Sequence, residues 1–140
     1  MSYSLNQIPN LILFESVGCW FQIHLNNAPK LQYLTLSSSG TFNIQGVSFL
    51  ELPALTYINL SNNHIRSIEG VQWPPLLEDL NLSKNELTRV DCTCMPSTML
   101  CLDLTDNPEL VVDTLFPISL TALYLKGSYL DILPSLPKLE

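Results

Sequence analysis

Apolar residues, most of them leucine, recur along this chain in a short fixed pattern. Residues 55–65 read L-x-x-I-x-L-x-x-N-x-I, and residues 77–87 read L-x-x-L-x-L-x-x-N-x-L. Weaker copies start near Ile8, Leu31, Met99 and Leu120, so that successive starts lie 21 to 24 residues apart. Six copies in tandem predict a repeat architecture in which each copy is one structural unit.

The last copy is followed by the beginning of another. Pro137-Lys138-Leu139 repeats the wording of Pro29-Lys30-Leu31, so Leu139 is interpreted as the first position of an incomplete seventh repeat. At the other end, residues 1–7 are too short for the usual cap of a repeat array. We therefore treat residues 1–140 as a single repeat domain and expect the chain to be a piece of a longer protein or the product of a truncated gene.

Within each copy, the second and third apolar positions are separated by one residue. This alternation predicts a short β-strand with one buried face, and stacked copies would form a parallel sheet over one continuous core. The return path of each copy is short and carries a proline two or three residues before most starts, at Pro29, Pro53, Pro74, Pro75, Pro96, Pro117 and Pro137. Proline is excluded from helix interiors, so the return side is predicted to be mostly extended or 3₁₀. The pairs Ile65/Ile68, Leu87/Val90 and Leu130/Leu133 are expected to fill the core behind the sheet.

The pattern L-x-x-L-x-L-x-x-N resembles the leucine-rich repeat, and the resemblance runs from about residue 8 to the end of the chain. It implies an α/β-type solenoid with its parallel β-sheet on the concave face. In this family the repeated asparagine turns inward and bonds to the backbone of its own and the neighbouring turn, which predicts a structural ladder of Asn63, Asn85 and Asn107. Serine stands at this position in residues 16, 39 and 128. A hydroxyl satisfies fewer backbone groups than an amide, so the middle of the array is expected to be the most regular.

Composition and charge remove several classes of function. Leucine accounts for 28 of the 140 residues and charged residues for only 14%, which argues against disorder. Six Lys and Arg against thirteen Asp and Glu, a net charge of −7, argue against binding to nucleic acid or to an anionic membrane surface. No apolar run is suited to membrane insertion, and no basic segment precedes an apolar one at the N-terminus. The compartment stays open, and it is extracellular if the chain belongs to a receptor-like protein.

The residues that usually carry chemistry form no catalytic pattern. His64 occupies a variable position of a repeat turn, and no Ser, Cys or carboxylate constellation recurs around it or around His24. Cys92, Cys94 and Cys101 are separated by one and six residues, whereas zinc ligands are usually paired with two to four residues between them. A zinc site and a Cys94–Cys101 disulfide stay open as alternatives, but buried free thiols are favoured. The sequence therefore predicts a protein that is not an enzyme and holds no metal or cofactor.

What remains is the solvent face of the predicted sheet. Residues that flank the second and third apolar positions point away from the core and form columns across the strands. The first column is predicted as Asn10, Tyr33, Tyr57, Asp79, Cys101 and Ala122, the second as Ile12, Thr35, Asn59, Asn81, Asp103 and Tyr124, and a third as Phe14, Ser37, Ser61, Ser83, Thr105 and Lys126. We predict a partner-binding site at Tyr33, Tyr57, Asn59, Asp79, Asn81, Asp103 and Tyr124. Rigid aromatic area favours protein contact, and the acids favour a partner that carries Arg or Lys.

Two of these residues also begin glycosylation sequons, Asn59-Leu60-Ser61 and Asn81-Leu82-Ser83. Both sequons fall inside the repeat wording, where Asn-Leu-Ser arises as part of the motif. The interpretation as repeat wording is therefore favoured over the interpretation as modification sites.

Three functions fit the pattern. The first is a non-catalytic module that binds a protein or peptide on its concave face. The second is an extracellular repeat segment of a receptor-like protein kinase, since the wording of residues 61–63, 68–75 and 77–83 is similar to the repeats of such proteins, particularly those of oomycetes; the kinase domain would then lie outside this chain. The third is the targeting domain of an effector enzyme, because residues 116–120 and 133–137 resemble the short proline-rich repeats of bacterial effectors.

Overall fold

Eight short β-strands and one 3₁₀ helix make up the regular structure of the described chain. The computed structural model describes residues 2–4, 8–18, 22–24, 28–40, 43–112 and 115–128, with residues 2–4 and 22–24 described through their backbone pairing. The strands are β1 (Ser2–Ser4), β2 (Leu13–Val17), β3 (Gln22–His24), β4 (Tyr33–Ser37), β5 (Tyr57–Asn59), β6 (Asp79–Asn81), β7 (Cys101–Asp103) and β8 (Ala122–Tyr124). The 3₁₀ helix is Cys92–Cys94. The predicted seventh repeat at Leu139 and the pair Leu130/Leu133 lie outside the described residues.

Six of these strands form one parallel sheet in chain order. Its order is β2-β4-β5-β6-β7-β8, so every strand pairs with the strand of the next repeat. The other two strands, β1 and β3, pair in parallel with each other. In sequence, β1 precedes β2 and β3 lies between β2 and β4. Each repeat is thus one coil of a solenoid, and the expected parallel sheet is confirmed.

The leucines of the motif form a single core behind this sheet. In β5 to β7 the central residue is buried and its two neighbours are more exposed, and in β4 the buried residues are Leu34 and Leu36. Leu80, Leu82 and their counterparts in the neighbouring coils are fully buried, as are Ile65 and Leu87 on the return side. Phe49 and Trp73 stack on adjacent coils with ring centroids 5.7 Å apart. The alternation read from the sequence is therefore the alternation that builds the core.

The return side is extended, as its prolines predicted. Its regular structure in the described main body is limited to the one-turn helix, which Asp91 caps by accepting from the Thr93 N–H, and to isolated parallel bridges such as Ser48 with Gln72. No helix of the described residues has the length and hydropathy needed to cross a membrane.

The first strand is displaced from the position that the sequence predicted. Phe14 pairs with Leu34 and Ser16 with Leu36, so the first coil begins three residues later than a start at Ile8 implies. Phe14 packs against the core and Ser16 is buried, whereas Asn10 and Ile12 lie before the strand. Leu13, Glu15 and Val17 take the face positions that had been given to Asn10, Ile12 and Phe14. The correction follows from two substitutions, because Phe14 and Ser16 stand where the motif has leucine.

A buried asparagine joins each central coil to the one before it. The Asn85 Nδ2 group donates to Leu60 O at 3.0 Å and to Leu82 O at 2.9 Å, while its Oδ1 accepts from the Ile65 N–H at 3.1 Å. Asn107 makes the same set of bonds one coil later. Asn63 donates in the same way to Leu36 O and Leu60 O, while its Oδ1 accepts from the Ser39 N–H. At the serine-substituted position, Ser128 reaches Leu104 O at 3.3 Å. Each amide thereby satisfies backbone groups that the turn would otherwise leave buried and unpaired.

The residue before each of these polar positions has a left-handed backbone. Ser38, Asn62, Lys84 and Asp106 have φ between 54° and 56°, and glycines occupy the equivalent places at Gly18 and Gly127. The N–H of each non-glycine member bonds to a carbonyl of the next coil, for example Lys84 N to Thr105 O at 2.8 Å. A tight turn thus follows each strand of the main sheet and keeps the coils in register.

Candidate functional site

The solvent face of the main sheet carries two uninterrupted columns of side chains. Strand pairing aligns the first column as Tyr33, Tyr57, Asp79, Cys101 and Ala122, and the second as Thr35, Asn59, Asn81, Asp103 and Tyr124. From β4 to β8 these are the columns expected from the sequence. Parallel strands lie about 4.8 Å apart, so neighbours in one column are within contact distance.

Two tyrosines form the aromatic part of this face. The rings of Tyr33 and Tyr57 have centroids 6.2 Å apart and planes tilted by 45°. Tyr33 remains 44% exposed, while Tyr57 is half-buried between its neighbours. A third tyrosine, Tyr124, is 53% exposed at the far end of the second column. The face therefore offers rigid aromatic area that is not buried within the fold.

Carboxylates lie directly beside the tyrosine pair. Asp79 follows Tyr57 in the first column, and Asp103 lies one strand further in the second. Partial burial raises the pKa of Asp79, a hydrogen bond with the Cys101 thiol lowers it, and the charge of Asp103 raises it again. Burial also raises the pKa of Tyr57, with smaller contributions from the charges of Asp79 and Glu15. These groups thus share one negative environment, and the described strands of the main sheet from β2 to β7 contain no Lys, Arg or His.

Glu15 is a member of this environment that the sequence did not indicate. It pairs with Thr35 on β4 and so extends the second column by one strand. The misplaced first repeat had concealed it. The sequence feature that could have indicated the observed register is Gly18. It occupies the left-handed position that follows the strands of the main sheet, where glycine is favoured.

The polar residues of the second column are partly engaged by their own turns. The Asn59 Oδ1 atom accepts from the Ser61 N–H, the Asn81 Oδ1 atom from the Ser83 N–H, and the Asp103 Oδ1 atom from the Thr105 N–H, each at 2.9 Å. The sequence columns predict these three residues as partner contacts. Their side chains also close the turn after each strand, which fixes their orientation on the face.

The three cysteines that the structure describes occupy three different environments. Burial raises the pKa of Cys92 to about 12, Cys94 is exposed, and Cys101 lies on the concave face where burial and the charges of Asp79 and Asp103 raise its pKa. All three are free thiols. In the part of the chain that the structure describes, no group of three or more His, Cys, Asp or Glu side chains is arranged to hold a metal ion.

The single described histidine side chain belongs to a surface ion cluster. His64 Nδ1 lies 2.6 Å from Glu86 Oε1, and Arg66 Nε lies 2.9 Å from Glu86 Oε2. Hydrogen bonds from His64 and then Arg66 lower the pKa of Glu86. His64 is exposed, as expected, but it is partnered by a residue one coil away that the sequence did not indicate. His24 belongs to β3, where the structure describes the backbone.

A second concavity lies on the return side. A groove of about 990 Å³ runs between the coils around residues 66–72 and 88–94. Its lining is charge-balanced, with Arg66 and Arg89 against Glu69 and Asp91. Arg66 already pairs with Glu86, and Asp91 caps the 3₁₀ helix. These charges are used within the fold, so the concave face is the stronger candidate for a binding site.

The coils, the inward asparagines and the parallel concave sheet define a leucine-rich repeat solenoid. A family model described as leucine rich repeat matches residues 29–87. The chain is a leucine-rich repeat protein, as its sequence indicated.

The curated proteins that this chain resembles include several receptors. The chain is 36% identical over 109 residues to Toll-like receptor 2 of Mus musculus and 33% identical over 109 residues to Toll-like receptor 2 type-2 of Gallus gallus. Each alignment covers 76% of this chain and 14% of the relative. The NT-3 growth factor receptor of Mus musculus is 32% identical over 100 residues, which is 66% of this chain and 12% of that receptor. The chain thus spans a small part of the length of these relatives. No solved structure gives a significant match.

Proposed function

We propose that the chain is a non-catalytic binding module that recognises a basic protein or peptide through its concave sheet. The observation that carries this proposal is the start of the first column. There Tyr33, Tyr57 and Asp79 place two aromatic rings and a carboxylate on three adjacent strands. Aromatic residues with few rotatable bonds provide contact area at low entropic cost. The net charge of −7 favours a partner of opposite sign.

The binding surface would comprise both columns. It includes Tyr33, Tyr57, Asn59, Asp79, Asn81, Asp103 and Tyr124, to which the structure adds Glu15. From β2 to β8 the six strands extend over roughly 24 Å, which suits an extended peptide or one edge of a protein. The fixed orientation of Asn59, Asn81 and Asp103 supports this role, because preorganised groups lose less entropy when a partner binds.

The test is a selection of displayed random peptides on the intact chain, followed by binding to variants. We expect enriched peptides to be rich in Arg and Lys and to lose affinity for Tyr57→Ala and Asp103→Asn. Asparagine keeps the oxygen that accepts from Thr105, so the second variant removes charge while preserving the turn. Gln72→Ala, on the opposite side of the solenoid, is the matched control. Binding that is equal for all three variants would refute the concave site.

A second candidate function is favoured by the comparisons with receptors. We propose that the repeats are a ligand-binding segment of a receptor, in which case the same face would lie outside the cell. The kinase and effector-enzyme interpretations remain predictions from the sequence wording. Reading the full transcript through both ends of the coding region and labelling surface proteins in the source cells would test the receptor proposal. A product that is absent from the surface-labelled fraction would count against it.

A further inference from the structure

The concave face brings an aromatic ring and a partly buried carboxylate side by side. Tyr57 and Asp79 are register partners on β5 and β6, and their side chains project from the same face of the sheet. On the other side of Tyr57 the ring of Tyr33 lies at 6.2 Å. On the other side of Asp79, Cys101 is its register partner on β7. The pair Tyr57–Asp79 is thus flanked on both sides.

We infer that this pair is a seat for an arginine side chain, and that the partner is chosen for arginine over lysine. The inference rests on the proposed function and specifies the chemistry of its ligand. A guanidinium group is planar, so it can stack on the Tyr57 ring while its fork of N–H groups donates to Asp79. An ammonium group is compact and strongly hydrated, and it cannot stack as a plane and donate as a fork at the same time.

The surroundings of the seat favour the same occupant. Glu15 and Asp103 flank it at the two ends, and the described strands of the main sheet from β2 to β7 contain no Lys, Arg or His that would compete. Asp79 is half-buried, so a cation that pairs with it loses part of its hydration shell. Guanidinium is the more weakly hydrated of the two cations and therefore enters such a position at lower cost.

The experiment uses the intact chain with three small probes, N-acetyl-arginine-N-methylamide and the matching lysine and citrulline compounds. Amide shifts in isotope-labelled protein are followed by NMR to a probe concentration of about 10 mM, which detects weak binding. We expect shifts centred on residues 57–59, 79–81 and 101–103. The arginine probe should bind roughly two- to fivefold more tightly than the lysine probe, as stacking on an aromatic ring predicts. Citrulline has the shape of arginine without its charge and should not bind.

Two variants divide the seat into its parts. Asp79→Asn should abolish binding of both cationic probes. Tyr57→Leu keeps apolar area and removes the aromatic ring, so arginine should fall to the level of lysine. Gln72→Ala on the return side should change neither affinity. A melting curve of each variant confirms that it is folded.

The outcomes separate this inference from the proposed function. If arginine and lysine bind equally on the concave face, the arginine seat is wrong while the binding face stands. If the arginine probe causes no shifts on the face but selected peptides still lose affinity for Tyr57→Ala, the seat is again overturned alone. If neither probes nor peptides depend on the face, both fail.

Discussion

The side-chain nitrogen Nδ2 of Asn85 lies 3.0 Å from the backbone oxygen of Leu60, which belongs to the preceding coil. The same nitrogen donates to Leu82 O in its own coil, so one buried side chain ties two repeats together. Since a repeat contacts only its neighbours, such links carry much of the cohesion between coils.

Asn85→Ala should lower the free energy of unfolding by at least about 2 kcal/mol. The substitution removes several hydrogen bonds and leaves the Ile65 N–H buried without its acceptor, and each orphaned group costs about 1–3 kcal/mol. Urea unfolding followed by circular dichroism measures the change. Glu78→Ala is the control, because Glu78 is exposed and directly precedes β6 in the same coil. A loss no larger than that of the control would show that the ladder does not hold the coils.

Leu82→Ala should cost about 2–5 kcal/mol, because it opens a cavity in the fully buried centre of the array. Leu76→Ala removes the same atoms from a side chain that is half exposed and should cost much less. Both changes are measured in one urea series. A cost below about half a kcal/mol for Leu82→Ala contradicts the observed register, since changes of that size are typical of surface positions.

At Lys84, glycine should be better tolerated than alanine. Its φ of 54° is a region that glycine enters freely and that costs other residues roughly 1–2 kcal/mol. Lys84→Gly should therefore unfold at higher urea than Lys84→Ala. At Lys126, whose φ is not positive, the order of the two substitutions should reverse because glycine loses more backbone entropy on folding. The same order at both positions would contradict the left-handed turn.

Asp79→Asn should stabilise the chain at neutral pH. The folded pKa of Asp79 is raised, chiefly by burial, so its ionised form is disfavoured in the folded state. That cost is present above the folded pKa and disappears as the pH falls below the value of an unfolded aspartate, about 3.9. Melting temperatures of wild type and variant between pH 7 and pH 3 should therefore converge on acidification. Curves that stay parallel would show that Asp79 carries no such cost.

Glu86 should have the opposite pH dependence. Hydrogen bonds from His64 and Arg66 lower its pKa in the folded state, so its contribution to stability is present above the unfolded value, about 4.3, and is lost as pH falls through the folded value. The melting temperature of Glu86→Gln should lie below that of wild type at pH 6 and approach it in acid. Because the cluster is exposed, high salt should shrink the difference. A difference that grows in acid would mean that the two bonds do not stabilise the ionised form.

The sequence predicted the fold and the columns from β4 to β8 because leucine marks each strand there without interruption. The first coil was misread, since Phe14 and Ser16 take leucine positions and Leu11 and Leu13 then match the motif in the wrong phase. Charge pairs between coils, such as His64 with Glu86, escaped prediction because they join residues 22 positions apart at variable sites. The hydrogen bonds from the Ser61 and Ser83 N–H groups to the side-chain oxygens of Asn59 and Asn81 were not predicted. No sequence pattern distinguishes an asparagine that accepts such a bond from one that faces solvent.

The alignment of the columns has a consequence for how such a protein can evolve. Ile58 and Leu80 are equivalent positions 22 residues apart, and each further coil adds one strand to the sheet. Inserting a further coil between β5 and β6, with a different residue in this column, would separate ring from carboxylate by one strand spacing while keeping every inward leucine and asparagine in place. Recombination between repeats can therefore change the chemistry of this face in discrete steps, one coil at a time.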